Sequence, residues 1–221
     1  MDILDILVKH RAEFLYGIKI TLLLSVYIWI IGIALGTILG TASNRWKRIV
    51  GLPTRFLSFI LSGIPVLVFL FWLHYPAQYL FKIVVNPFIT TVVALSIVNA
   101  FLIADLMRSV LEDFPKQYLE AAYVSGFGRL ETLRHIQLPI IWRQVMPNLL
   151  TIQIVMLQST LFASLISVDE VFRIAQRINS EIYKPVEVYS ALGIIFLIIC
   201  LPMHGLALWF RAKYTRDISE K

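Results

Sequence analysis

The chain has 221 residues, 58% of them hydrophobic and 15% charged, with a mean hydropathy of +0.78. Soluble domains are about a quarter charged and at most about half apolar, so this composition excludes a disordered protein, a nucleic-acid module and an ordinary soluble enzyme. The net charge of +6 is too thinly spread to follow a nucleic-acid backbone, and a single cysteine, Cys200, offers neither an intrachain disulfide nor a zinc cluster. The histidines (His10, His74, His135, His204) show no metal spacing.

The first segment, residues 1–19, carries Asp2, Asp5 and Glu13 and lacks the short apolar core of a cleaved signal. It reads as an amphipathic helix at the membrane interface, with Ile3, Leu4, Ile6, Leu7, Phe14 and Leu15 toward lipid. Five runs follow without a charge or nearly so, which place transmembrane helices over roughly 20–44, 56–81, 83–107, 144–168 and 186–210. Each is long enough for the roughly 20 residues that cross a bilayer core of about 30 Å. Helices satisfy every backbone polar group internally, and the runs lack the alternation of a β-barrel. The fold class is therefore all-α, a polytopic membrane bundle of about five helices. Tyr75-Pro76, Lys82 and Asn86-Pro87 mark the turn between the second and third spans.

An odd number of spans puts the termini on opposite sides. Thirteen Lys and Arg lie in the loops around 45–55, 108–143 and 211–221, against seven in the remainder. The positive-inside rule makes the richer side cytoplasmic, with the N-terminus outside and the C-terminus inside.

Within the first span Gly32, Gly36 and Gly40 share one helical face, where a backbone can approach closely. That face serves either as a seam against another subunit or as packing within the chain. Pro65 and Pro202 predict kinks. The longest connection, roughly 112–140, reads as two short helices and a turn. Ser125-Gly126-Phe127-Gly128 ends the first helix, with Gly126 at the left-handed cap, Arg129–Ile136 resumes and Pro139 stops it. There is no GxxxxGK[ST] phosphate loop, so any ATP is bound by another chain.

This connection contains Glu120-Ala121-Ala122, three residues, Gly126, nine residues, then Ile136-Gln137-Leu138-Pro139. It resembles the cytoplasmic EAA loop of permease subunits in bacterial ABC importers. The chain further resembles the polar amino-acid (histidine/glutamine-type) permeases at Phe14–Leu22, Leu35-Gly36, Gly63–Val68, Asp105–Arg108 and Ser164–Glu170. The resemblance implies one transmembrane permease domain over 1–221 in the bacterial inner membrane. It implies a second permease subunit, a cytoplasmic ABC ATPase dimer holding ATP and Mg²⁺, and an extracytoplasmic solute-binding protein. This chain itself would bind no cofactor and no metal and would catalyse nothing. Glu120, Ala121, Ala122, Gly126 and Arg129 would form the ATPase-coupling loop. Asn99, Asp105, Gln158 and Ser159 are candidates for the solute path. The family commonly has Arg at Ser62, Gln at Phe69, Lys at Gln158 and Glu at Asp105; these differences lie in or near the spans and leave the solute open.

Two other classes fit less well. A membrane-integral enzyme needs a catalytic constellation, and His74, His204 and Ser25 have no partner at useful spacing. An ion-coupled transporter normally shows several intramembrane charges and an internal repeat, and neither is evident.

Overall fold

The computed structural model describes residues 2–215, all-helical but for short connections. A two-turn helix α1 (Ile3–Lys9) leads through His10 into α2 (Arg11–Arg45), the first span. A π-turn (Lys47–Gly51) opens α3 (Leu52–Gly63), and α4 (Val66–Trp72) runs through a second π-turn into α5 (Gln78–Phe81). Then come α6 (Pro87–Glu112), α7 (Lys116–Val124), α8 (Arg129–Thr132), α9 (Leu138–Ser159), α10 (Val171–Ile182) and α11 (Pro185–Thr215). Helices 11–45, 87–112, 129–166 and 185–213 are each long and apolar enough to cross a membrane. The second predicted span, 56–81, is instead two helices, Lys47–Gly63 and Val66–Phe81, meeting at 100°.

The break has a local cause. Ile64 is extended (φ −102°, ψ 123°) because Pro65 disfavours the helical conformation in the residue before it. Pro65 thus severs its span instead of bending it. Lys82 closes α5 in the left-handed conformation (φ 53°), and Asn86 caps α6 by accepting from the Phe88 amide at 2.8 Å. Of the predicted turn region the part from Lys82 to Pro87 is there, with the Gln78 side chain accepting from the Val85 amide at 2.8 Å, whereas Tyr75-Pro76 lies inside the helical run that ends at Phe81.

The most extensive interface is α2 against α6. Cβ atoms added at Gly36 and Gly40 would lie 2.6 Å from Ile103 and Met107, respectively, and one at Gly32 would overlap Asn99. Three glycines four residues apart thus receive three side chains four residues apart, in the same chain direction. The glycine face is packing within the chain. Since α2 and α6 run parallel, the broken segment between them returns the chain to its starting side, which makes the fifth crossing.

Two boundaries differ from expectation. Arg11–Lys19 continues into the first span, leaving α1 only seven residues. Ile6 and Phe14, expected toward lipid, are buried in a cluster with Val171, Ile174, Ile178 and Val188, while Leu4 and Leu15 are exposed as expected. The amphipathic α10 and the first turns of α11 together cover them. Glu13 fastens the corner, pairing with His10 at 2.9 Å and Arg177 at 3.6 Å. The second difference is at Pro139. It sits in the first turn of α9, where no amide hydrogen is needed, so residues 129–166 form one continuous helical run. Pro202 likewise lies inside an unbroken α11.

Candidate functional site

Two places carry the chemistry the sequence singled out. The first is the hairpin α7–α8, outside the apolar stretches. Its reversal is built by backbone alone. Gly126 has φ +77°, its amide donates to the Tyr123 carbonyl at 3.1 Å, and the Phe127 amide donates to the Ala122 carbonyl at 3.0 Å. This pair of bonds is the Schellman arrangement, which requires a left-handed residue at Gly126. Glu131 then accepts from the Gly128 amide at 2.9 Å and starts the next helix. Glu120, Ala121 and Arg129 are exposed, but Ala122, expected on the same outward face, is buried. Its neighbours form the outward surface instead: Tyr123 (84% exposed), Val124 (86%) and Leu130 (76%). Apolar side chains standing free outside the spans mark a binding surface when they cluster.

The second place is a cavity of about 470 Å³ between α3, the start of α4, α6 and α9. Its polar residues are Arg55, Ser58, Ser62, Asp105, Arg108 and Ser159; Phe59, Phe101, Leu102 and Met156 are among the apolar ones. Asp105 contacts Arg108 at 2.7 Å, three residues along α6, and accepts a hydrogen bond from the Ser58 hydroxyl. Arg55 pairs with Glu112 at 2.6 Å. The Asp105–Arg108 contact is poorly aligned: Asp105 Oδ1 and Arg108 Nη1 are buried without a hydrogen-bond partner among the described residues. A charge pair so placed retains unspent hydrogen-bonding capacity facing a cavity.

The four candidate path residues do not stand together. Asp105 and Ser159 line the cavity. Asn99 is fully buried elsewhere, donating to the Ile28 carbonyl at 3.1 Å and exchanging hydrogen bonds with Gln153 at 3.1 and 3.2 Å. Trp29 donates to the Gln153 carbonyl at 3.1 Å, so this knot ties α2, α6 and α9. Gln158 does not line the cavity; it is exposed and beside Cys200. Ser58 was missed, although Arg55, Ser58 and Ser62 at spacings of three and four already place a polar stripe on one helical face. Gln153 was missed because a lone Gln in an apolar run gives no sign of its partner.

Among the described residues no group of three or more His, Cys, Asp or Glu could hold a metal.

Residues 32–216 match the family described as "Binding-protein-dependent transport system inner membrane component". The octopine transport system permease protein of Rhizobium radiobacter is 34% identical over 84% of this chain and 79% of its own length. The glutamine transport system permease protein of Escherichia coli K12 is 27% identical, over 84% and 85%. The crystal structure of an amino acid ABC transporter with histidines superposes with a TM-score of 0.83 at 24% identity, covering 96% of this chain and 99% of that one. An inward-facing methionine ABC transporter gives 0.63 at 17% identity, over 95% and 96%. The chain belongs to the family of binding-protein-dependent transport system inner membrane components.

Proposed function

We propose that this chain is the permease subunit of an ABC importer for a polar amino acid or a related small solute. The curated relatives are permeases for octopine and glutamine. The single observation that carries the coupling role is the hairpin around Gly126, with Tyr123, Val124 and Leu130 exposed beyond the spans. A cytoplasmic ATPase dimer, which binds ATP and Mg²⁺, docks there through a groove that receives these side chains, and Glu120 and Arg129 flank the contact. A second permease subunit and an extracytoplasmic binding protein complete the importer. The hairpin transmits closure of the ATPases to the spans, and differential contact in the two states is what shifts their equilibrium. The cavity at Asp105, Arg108, Ser58 and Ser159 is the solute path on this chain.

The N-terminus lies outside and the hairpin inside. In this arrangement single cysteines at Asn44 and Lys116 are shielded from an impermeant thiol reagent in intact cells, and one at Lys82 reacts. The reverse pattern overturns the orientation.

The test of coupling is Gly126→Asp. A Cβ at Gly126 meets nothing within 4 Å, so the damage is confined to the strained turn, roughly 1–2 kcal/mol for a left-handed residue. The variant inserts in the membrane but loses the copurifying ATPase or uncouples hydrolysis from uptake. Full uptake with the ATPase retained refutes the docking role. Asp105→Asn tests the path: it assembles and loses uptake, and normal uptake dismisses the carboxylate's part.

A further inference from the structure

The end of the first span holds a second, smaller cavity of about 250 Å³, lined by Ser43, Lys47, Arg48, Gly51, Leu52, Arg55 and Glu112. Its floor is built. Ser43 is 1% exposed, and its hydroxyl oxygen is buried with no hydrogen-bond partner among the described residues. Native structures rarely leave a buried hydroxyl unpaired. The π-turn after α2 brings Gly51 against this residue: a Cβ there would sit 2.8 Å from the Ser43 carbonyl oxygen. Gly51 thus lets the turn pack directly on the backbone of α2 at Ser43.

The charges lie around the rim. Arg55 is matched by Glu112 at 2.6 Å. Lys47 and Arg48 have no carboxylate within ion-pair distance among the described residues, so the cavity keeps two uncompensated positive charges. Its surroundings are those of a membrane interface. Leu52 is 61% exposed and Ile49 80%, and Trp46, half exposed, stands beside Arg45 with its ring 5.8 Å from the guanidinium. A volume of this size equals several waters at about 30 Å³ each, enough for a phosphate group. An occupant must bring negative oxygen for Ser43, Lys47 and Arg48, and an apolar tail for Ile49 and Leu52.

We infer that this cavity binds the phosphate of an anionic phospholipid, with Ser43 donating to a phosphate oxygen and Lys47 and Arg48 supplying the charge. The inference rests on the chain spanning a membrane, and on neither the solute nor the ATPase. It places a lipid where the turn after α2 meets, through Arg55 and Glu112, the end of α6 that leads into the hairpin.

The test is thermal melting of the purified full-length protein in neutral detergent, titrated with phosphatidylglycerol, phosphatidylcholine or inorganic phosphate. A ligand that binds the folded state raises the melting temperature saturably. Phosphatidylglycerol does so, and phosphatidylcholine, carrying no net charge, is at least about tenfold weaker. Ser43→Ala is the decisive variant. Without lipid it melts no lower than wild type, because it deletes a hydroxyl that had no partner. With phosphatidylglycerol it binds about tenfold or more weakly, the loss of one hydrogen bond to a charged group. Lys47→Gln with Arg48→Gln weakens binding about fivefold for each charge removed. Should Ser43→Ala fail to fold, this pair, on exposed residues, decides. Wild-type affinity in the variants overturns the site and leaves a generic basic surface. Inorganic phosphate that displaces phosphatidylglycerol at equal concentration overturns the lipid assignment in favour of a free anion.

Discussion

Helices α2 and α11 look alike in sequence. Both are long and apolar, and both carry glycines in their interiors. Their glycines are used in opposite ways. Gly32, Gly36 and Gly40 of α2 are closed by Asn99, Ile103 and Met107, whereas Gly193 and Gly205 of α11 face open space. A stripe of small residues therefore acquires meaning only from the helix that meets it. Here α6 repeats its bulk every four residues in register with the gaps. Among the described residues no such repeat packs onto the outer face of α11.

The largest effect should come from filling the seam. Gly36→Leu would drive a side chain into the Ala100 carbonyl and Ile103 from 2.6 Å. Overpacking a tight core costs about 1–3 kcal/mol and occasionally more. Because this is the most extensive interface of the bundle, the expected result is little folded protein recovered from membranes. Wild-type yield and melting temperature would show that α2 and α6 are not held as described.

Next in size is the polar knot beside the seam. Asn99→Leu leaves Gln153 buried without its partner, a cost of about 1–3 kcal/mol. Adding Gln153→Leu removes the orphan as well, and replacing both partners by apolar groups can be nearly neutral. Melting temperatures of the two singles and the double decide. A double variant worse than Asn99→Leu alone would show that the pair does more than satisfy itself.

Particular residues show what the sequence could and could not disclose. The spans were legible because lipid tolerates few charges, and the Gly126 turn because a left-handed cap has few alternatives. Asp105 and Arg108 stand three residues apart, which puts them on one helical face, so their contact follows from local spacing. Asn99 was assigned to the solute path because nothing local distinguishes a buried Asn that lines a path from one that joins helices; that depends on Gln153, 54 positions away. The break at Pro65 was underestimated for a similar reason. Proline marks a disturbance, but whether the helix bends, breaks or starts depends on the backbone before it, as Pro65, Pro202 and Pro139 illustrate in turn. Nothing local shows that Ile6 and Phe14 are covered, because the apolar faces of α10 and α11 that pack on them lie about 160 residues or more further on.

The third effect concerns how α10 is fastened to α2. Glu170 is wholly buried and accepts from the Phe172 and Arg173 amides, each at 2.9 Å, while the Thr21 hydroxyl also reaches it. Burial outweighs these bonds and the Arg173 charge, and pushes the carboxyl from its ordinary 4.5 to about 7. The folded protein therefore holds a proton that the unfolded chain releases earlier. Its stability should fall as pH rises from about 4.5 to about 7 and be flat above. Melting at pH 5 and pH 8 measures the slope. Glu170→Gln keeps an acceptor for the cap and should flatten it; an unchanged slope would assign the pH dependence to other groups.

The smallest effect returns to α11. Glycine inside a helix is destabilising by about 0.5–1 kcal/mol relative to alanine. At Gly36 that cost is offset by the close approach of α6. At Gly193 and Gly205 no neighbour among the described residues offsets it, since an added Cβ meets nothing within 4 Å. Alanine at either position should therefore raise the melting temperature of the isolated subunit slightly. The same variants then ask a sharper question of the assembled importer. If lipid covers this face, the assembly gains the same small increment. If the second permease subunit packs against these glycines, the isolated chain still gains but the assembled pair loses, because the new methyl holds two backbones apart. Melting the subunit alone and then in its assembly separates the two outcomes. A loss of stability in the isolated chain itself would contradict the open face described for α11 and erase the contrast with α2.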